Sequence, residues 1–388
     1  MTLELLQQAV LVLALGPSLY YLSCLVAAFL YRRRPPWAPP DYLPPISILK
    51  PVRGLDRHAY ENFASYCRLD YPQYELLFCV EDQQDPAVPA IERVIRDHPQ
   101  VAARLLVGAE PLGVNPKVNK LCRLVRDARY DLLVMADSDV RVEPGYLRSI
   151  ARAFANPSVG AATVAFRSDV DGSLVGYLDA LGAGVDFWAS TFVARYVEGG
   201  LRFTHGATMA VRRHVLAELG GWESRVNHHS DDQWLGHETA RRGYQVAIVA
   251  DPIWMVYPHQ SFREYLRHEA LRMIRIRTTR PVAYAGLVFA QGLPWALAAA
   301  AISPSLAVAS GYLIAYVLLR GLMLWSVGCK LLRDPAVGRA WYLAPARDAV
   351  GFYCWLAGYF TNRIVRRGIE FRSLEGGRLE PVLHTQRR

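Results

Sequence analysis

Charge is scarce in this chain. Asp, Glu, Lys and Arg make up 20% of its 388 residues, against 52% hydrophobic residues. The shortage is uneven. No charged residue occurs from Ala9 to Leu30, or from Val282 to Leu319. Paired cysteine motifs are missing too. The six cysteines, Cys24, Cys67, Cys79, Cys122, Cys329 and Cys354, form no C-x-x-C pair. That leaves a reduced cytoplasmic domain as the plain reading. No basic residue precedes the first apolar run, which excludes the n-region of a signal peptide. No internal repeat and no nucleic-acid motif is present. The formal charge of +9 then points to anionic lipid headgroups and a negatively charged donor, with no nucleic acid as partner.

What is present divides the chain. Residues 1–34 read as an N-terminal transmembrane anchor, because Ala9–Leu30 as a helix is roughly 33 Å long, enough for the hydrocarbon core of a bilayer. Arg32, Arg33 and Arg34 follow it and put the downstream side in the cytoplasm. Residues 281–329 read as a transmembrane hairpin, Val282–Ile302 and Leu306–Cys329, split at Ser303-Pro304-Ser305. Residues 330–388 read as an interfacial or third C-terminal membrane segment, centred on Trp341–Thr361, plus a basic tail. Arg347 and Asp348 lie inside that segment, and a charge at mid-bilayer costs at least ~2.5 kcal/mol. Lys330, Arg333 and Arg339 before it and Arg363, Arg366 and Arg367 after it favour the cytoplasm.

Residues 45–255 alternate strand and helix patterns. Ile46–Leu49, Tyr74–Val80, Val101–Val107 and Asp131–Ala136 read as strands, with helices over Ala87–Asp97 and Lys117–Asp127. This is an α/β domain with an expected doubly wound, largely parallel sheet. In such sheets ligands sit beyond the carboxyl ends of the strands.

Acidic residues follow that rule. Glu81-Asp82 comes after the second strand and Asp137-Ser138-Asp139 after the fourth, and Ser230-Asp231-Asp232 opens a helix ending near Arg242-Gly243. Carboxylates one residue apart suit a hard divalent cation bridging diphosphate oxygens. Asp137 and Asp139 equally suit the cap of a following helix. Asp232 reads either as a cap or as a general base. His228, His229 and His237 match no zinc spacing. Residues 256–280 form a basic amphipathic interfacial segment. Within it Arg272 and Arg275 are three apart and share a helix face, and guanidinium groups suit phosphate oxygens.

Five stretches together resemble the ceramide glucosyltransferase family (family 21 glycosyltransferases, similar to family 2), including bacterial relatives that glycosylate hopanoids. They are Ile48-Leu49-Lys50-Pro51-Val52-Arg53-Gly54-Leu55-Asp56, Cys79-Val80-Glu81-Asp82, Asn115-Pro116-Lys117-Val118-Asn119, Asp137-Ser138-Asp139-Val140-Arg141-Val142 and Gly206-Ala207-Thr208-Met209-Ala210-Val211-Arg212-Arg213. The resemblance implies a GT-A type, Rossmann-like nucleotide-sugar domain with transmembrane helices at both ends. It implies a multi-pass protein with its catalytic domain on the cytoplasmic face of a bacterial inner membrane. Its substrates would be a UDP-sugar and a membrane lipid, ceramide or hopanoid, with Mg²⁺ or Mn²⁺ as the divalent metal. Carried over, Asp82, Lys117 and Asp137 would bind the nucleotide donor, Asp137 and Asp139 the metal. Asp232 would be the base, and Arg272 and Arg275 the (Q/R)xxR element. Ile276 stands where that family has tryptophan, which touches acceptor identity. The Thr204–Thr208 stretch would lie near the donor sugar, with His205 read as structural. The reading is inverting transfer of glucose to a ceramide-like lipid. The alternatives are N-acetylglucosaminyl transfer to a hopanoid, a processive polysaccharide synthase, and a non-catalytic scaffold. The few spans argue against the synthase, and the retained carboxylates against the scaffold.

Overall fold

The computed structural model describes residues 2–33, 42–361, 363–366, 369–374 and 377–381. Arg34 and Arg367, both named above as topology signals, lie outside them. The chain forms two compact units.

One unit comprises residues 35–169 and 194–259. Its eight-stranded sheet has the order β3-β2-β1-β4-β7-β6-β8-β5. The strands are β1 (Ile46–Pro51), β2 (Tyr74–Val80), β3 (Ala102–Val107), β4 (Leu132–Ala136), β5 (Val140–Arg141), β6 (Val159–Asp169), β7 (Thr208–Arg212) and β8 (Gln245–Val256). β1 and β4 are buried along their whole length. That is the mark of central strands covered on both faces. The helix Pro116–Asp127 buries Val118, Leu121, Cys122 and Leu124. This spacing places one helical stripe against Leu49, Leu77, Leu133 and Met135 of the sheet. β1 pairs in parallel with β2 and β4, with Leu49 opposite Leu77 and Met135. The three strands therefore end at one level, and the residues after them emerge along a common edge.

The strand–helix alternation holds for β3-β2-β1-β4, which are parallel throughout, and β6 pairs in parallel with β8, but the alternation missed three antiparallel pairings. β7 runs antiparallel to both β4 and β6, and β5 antiparallel to β8. A fully buried strand is apolar throughout whichever way it runs, so its composition carried no direction. The reading of Asp137 and Asp139 as helix caps also fails. The next helix begins at Tyr146 with Gly145 as its cap, and the two aspartates occupy the turn between β4 and β5.

The other unit comprises residues 1–34, 170–193 and 260–388. Among the described residues, two helical stretches are long and apolar enough to cross a membrane, Glu4–Arg33 and Leu306–Leu331. In Gly16–Arg33 the residues Tyr21, Cys24, Ala27, Ala28 and Tyr31 are buried. The opposite face exposes Leu19, Val26 and Phe29, an apolar surface suited to lipid. Val282–Ile302 is not one straight helix. Pro281–Ala290 and Gly292–Ile302 meet at 57°, so the pair is a broken span or a re-entrant loop. Within Trp341–Thr361 the helix is Ala344–Ala357, 14 residues. At about 21 Å it is shorter than a bilayer core. Arg347 and Asp348 are buried inside protein and do not face lipid.

Phe262–Thr279 is a single helix opened by a capping box, with the Ser261 side chain on the Glu264 N–H and the Glu264 carboxylate on the Ser261 N–H. It buries Tyr265, Glu269, Met273 and Ile274 and exposes Arg263, Arg267 and Arg275.

Candidate active site

The loop after β1 is pinned from two sides. Lys120 donates its Nζ to the Val52 carbonyl at 3.0 Å, and the Asp85 carboxylate accepts the Gly54 N–H at 3.0 Å. Gly54 has φ of +73°, a conformation that favours glycine. Pinning this loop brings Asp56 beside the β4 turn, where it bonds Ser138 and feels Asp137 and Lys50.

Lys50, near the end of β1, is fully buried. Its Nζ donates to the Asp137 carbonyl at 2.8 Å and lies 3.9 Å from the Tyr66 ring centre. Burial pulls its pKa down to about 7, against the opposing pull of Asp137, Asp139 and Asp56. Asp139 responds in the other sense. Burial first, then Asp137 and Asp56, push its carboxyl up to about 7. Its Oδ1 is buried without a hydrogen-bond partner.

Toward solvent, Lys117 takes the next place. The Asn115 side chain caps its helix by accepting the Lys117 N–H at 3.2 Å. Lys117 Nζ lies 2.7 Å from Asp137 Oδ1 and 3.5 Å from Asp231 Oδ2. Burial opposes its charge, but Asp137, Asp231 and Asp232 outweigh burial and hold the ammonium well above the usual lysine range. The two loops that carry these groups are tied together. Asn115 Nδ2 donates to the His228 carbonyl at 2.7 Å, and the Val114 N–H donates to Asn227 Oδ1 at 3.1 Å.

Asp232 opens the helix Asp231–Arg241. Its carbonyl accepts the Thr204 hydroxyl at 2.8 Å, which anchors it to the segment leading into β7. The preceding Ser230 is left-handed, with φ of +61°, an uncommon state for a non-glycine residue. It turns the chain so that two consecutive carboxylates enter the site. Gly206 marks where the groups converge. A Cβ there would lie 3.4 Å from Lys117 Nζ and 3.7 Å from a carboxylate oxygen of each of Asp137 and Asp232.

Lys117, Asp137 and Asp232 are thus brought together, with Asp139 behind them. Asp82 is exposed after β2, where its carboxylate accepts the Gln84 N–H at 2.8 Å and closes a local turn. Arg272 and Arg275 belong to the other unit. There Arg272 Nη1 pairs with buried Glu269 Oε1 at 2.6 Å, while Arg275 is exposed, so the two differ in environment although they are three apart. Lys50, Asp56 and Asp231 received no role from the sequence. A lysine inside the otherwise apolar run of β1 was the available signal for the first.

The carboxylates of Asp56, Asp137, Asp139, Asp231 and Asp232 outnumber the two lysines among them. Among the described residues, no three of His, Cys, Asp and Glu form a complete metal-binding group. The donor chemistry fits a divalent cation, which the carboxylates of Asp137 and Asp139 would hold. The unpartnered Asp139 oxygen is one such acceptor.

Known proteins resemble this chain in fold and in sequence. The mannosyltransferase PcManGT from Pyrobaculum calidifontis, solved with GDP-Man and Mn²⁺, superposes with a TM-score of 0.55 at 20% identity, over 91% of this chain and 99% of that one. This agrees with the expected GT-A type fold. Ceramide glucosyltransferase 1 of Caenorhabditis elegans is 28% identical over 242 residues, 61% of this chain and 51% of that protein. Ceramide glucosyltransferase 3 of the same organism is 30% identical over 223 residues, 54% of this chain and 46% of that protein. The match thus spans about half the length of these curated relatives. The family model for glycosyl transferase family 21 matches residues 9–379, nearly the whole chain, and the chain therefore belongs to glycosyl transferase family 21.

Proposed function

We propose that this protein is an inverting glycosyltransferase that moves a sugar, glucose in the leading reading, from a UDP-sugar to the hydroxyl of a ceramide-like membrane lipid. The observation that carries the proposal is the convergence of Lys117, Asp137 and Asp232 on the space beside Gly206. That convergence supports Asp232 as the base, Lys117 as the cation facing the leaving group and Asp137 as a cation ligand, beside a backbone position that carries no side chain.

Asp232 takes the proton of the acceptor hydroxyl. The acceptor oxygen forms its bond to the anomeric carbon as the bond from that carbon to the diphosphate breaks, and the nucleoside diphosphate leaves. One displacement inverts the centre, so an α-linked donor gives a β-linked product. Lys117 faces the developing negative charge, and Asp82 binds the nucleotide. Arg272 and Arg275 hold the leaving diphosphate. A divalent cation held by Asp137 and Asp139 would neutralise charge on the leaving diphosphate, and such electrostatic stabilisation is often the largest catalytic contribution. The spanning helices keep the site at the bilayer, because removing a lipid chain from it costs about 0.8 kcal/mol per CH₂. In this reading the protein is multi-pass and its catalytic unit is cytoplasmic.

Ile276 favours a second reading of the acceptor. It packs on Met273, Tyr284 and Cys354, where the ceramide glucosyltransferase pattern has tryptophan, and N-acetylglucosaminyl transfer to a hopanoid keeps the same chemistry. Offering radiolabelled UDP-glucose and UDP-N-acetylglucosamine, with Mn²⁺, against ceramide and a hopanoid polyol separates the two. Label in ceramide alone supports the first reading and label in the hopanoid alone the second. No transfer and no donor hydrolysis by folded protein overturns both.

A further inference from the structure

Lys117 stands between two carboxylates. Its Nζ lies 2.7 Å from Asp137 Oδ1 and 3.5 Å from Asp231 Oδ2. The first distance is that of a charge-assisted hydrogen bond, and the second is longer than one. Lys117 lies in the first turn of the helix Pro116–Asp127. Asp137 directly follows β4, and Asp231 is the first residue of the helix Asp231–Arg241. Three separate elements of one unit thus meet at a single ammonium group.

Asp231 holds accepting capacity in reserve. Its Oδ2 is buried and takes no hydrogen bond, a costly state for a polar atom. The aligned N–H groups at the start of its helix favour a carboxylate there. Against burial, Asp137 pulls on the Lys117 charge most and Asp231 next. The lysine can answer either pull, because its ammonium is a compact charge on a flexible four-carbon stem. Moving Nζ by about 0.7 Å would bring the 3.5 Å separation from Asp231 to the ~2.8 Å of a charge-assisted bond. No backbone shift is needed. A Cβ at Gly206 would lie 3.4 Å from this nitrogen, so the glycine leaves room for the movement.

Asp137 Oδ1 cannot serve two cations at once. The ammonium 2.7 Å away takes the position that a divalent cation on this oxygen would need, and two cations so close repel. Asp231 Oδ2 is the acceptor that stands nearby for the displaced ammonium.

We propose that Asp231 is a positioning residue that takes the Lys117 ammonium from Asp137 when a divalent cation binds there. This rests on the reading of Asp137 as a cation ligand. No proton moves in the exchange. Lys117 stays an ammonium and Asp231 a carboxylate, and only the partner of the ion pair changes. The cation gains Asp137 Oδ1, and Lys117 remains in the site, held by the residue beside the base. Asp231 then acts through Lys117, which separates its role from that of Asp232.

The test uses full-length protein in detergent, checked for a single melting transition. It reads Mn²⁺ binding from the loss of the free-Mn²⁺ electron paramagnetic resonance signal, with and without saturating UDP. Asp231→Asn should weaken Mn²⁺ binding about tenfold, because Lys117 then stays on Asp137, and Asp231→Glu should recover part of the loss. Lys117→Met should bind Mn²⁺ at least as tightly as the unaltered protein. In the Lys117→Met background, Asp231→Asn should cost at most about twofold, the remainder due to charge acting through space. Should Asp231→Asn fail to fold, Asp231→Ser, a residue suited to a helix start, must show the same pair of results. Equal losses in the two backgrounds would mean that Asp231 acts by its charge alone, and would overturn the positioning role. Weaker binding by Lys117→Met would overturn it as well. Asp137→Asn separates this role from the reading beneath it. If Asp137→Asn abolishes binding and Asp231→Asn leaves it unchanged, the ligand reading stands and the positioning role falls. If Asp137→Asn binds Mn²⁺ no differently from the unaltered protein, or neither binds it, the ligand reading falls and the positioning role with it.

Discussion

Replacing Gly236 by alanine should cost both stability and turnover, although alanine is the better helix former. Gly236 lies within the helix Asp231–Arg241 that carries Asp232, and an added Cβ would meet Phe203 Cα at 2.2 Å, its carbonyl carbon at 2.3 Å and its nitrogen at 2.6 Å. The neighbours are backbone, so no side chain can swing away. Reaching ordinary contact at 3.4 Å or more requires the helix and the segment around Phe203 to part by about 1 Å. Overpacking of this kind costs ~1–3 kcal/mol, more than the ~1 kcal/mol that alanine gains over glycine in a helix. The same shift strains the bond from Thr204 to the Asp232 carbonyl and moves the base, and a 1 Å misplacement of this kind can cost about 10²-fold in rate. Thermal melting and initial-rate transfer assays on one preparation give both numbers. A higher melting temperature with an unchanged rate would refute the close packing of this helix on residues 203–204 and the positional demand on Asp232.

Other consequences can be measured alongside. Asp232→Asn should cut kcat by about 10²–10⁴-fold and leave donor affinity nearly unchanged, as read by UDP inhibition. Asp139→Asn should stabilise the metal-free protein while abolishing Mn²⁺-dependent turnover. Because burial, Asp137 and Asp56 raise the folded-state pKa of Asp139 to about 7, its stabilising protonated form is fully present below the unfolded value of about 4. That contribution is lost as pH rises through 7. The melting-temperature advantage of Asp139→Asn should therefore grow between pH 5 and pH 8, and saturating Mn²⁺ should erase it. Lys50→Met should leave the sheet folded, since the Lys50 ammonium lies over the rings of Phe63 and Tyr66, which a thioether can also contact. It should also raise the Mn²⁺ concentration needed for half-maximal rate several-fold, because the Asp137 carbonyl loses the ammonium donor that fixes it.

Much of this was legible because strand ends leave a local trace. An apolar run followed by acidic residues located Asp82, Asp137 and Asp139, and Ser230-Asp231-Asp232 announced its helix. The strand boundaries differ from the expected ones by a residue or two. What the sequence hid was pairing over distance. Asp186 and Arg320 are 134 positions apart and Arg320 and Asp348 28 apart, so Arg347 and Asp348 looked like a cost to a membrane segment when they are members of a paired interior. The direction of β7 was hidden because burial on both faces erases alternation. The break at Gln291-Gly292 did leave a trace. A glutamine inside an apolar run is out of place in lipid, and Asp348 and Tyr21 receive the Gly292 N–H there. Lys50 and Asp56 were visible as residues of a resembling stretch, but their proximity to Asp137 depends on the pinned loop after β1, which no local pattern encodes.

The central claim is that Asp232 deprotonates a lipid hydroxyl in a single inverting displacement. The most direct measurement is the anomeric configuration of the lipid product formed from an α-linked UDP-sugar, read from the proton coupling at its anomeric carbon, with Asp232→Asn run in parallel. The account predicts a β-linked product from the unaltered protein and none above background from folded Asp232→Asn. An α-linked product, or transfer by Asp232→Asn at the unaltered rate, would contradict it.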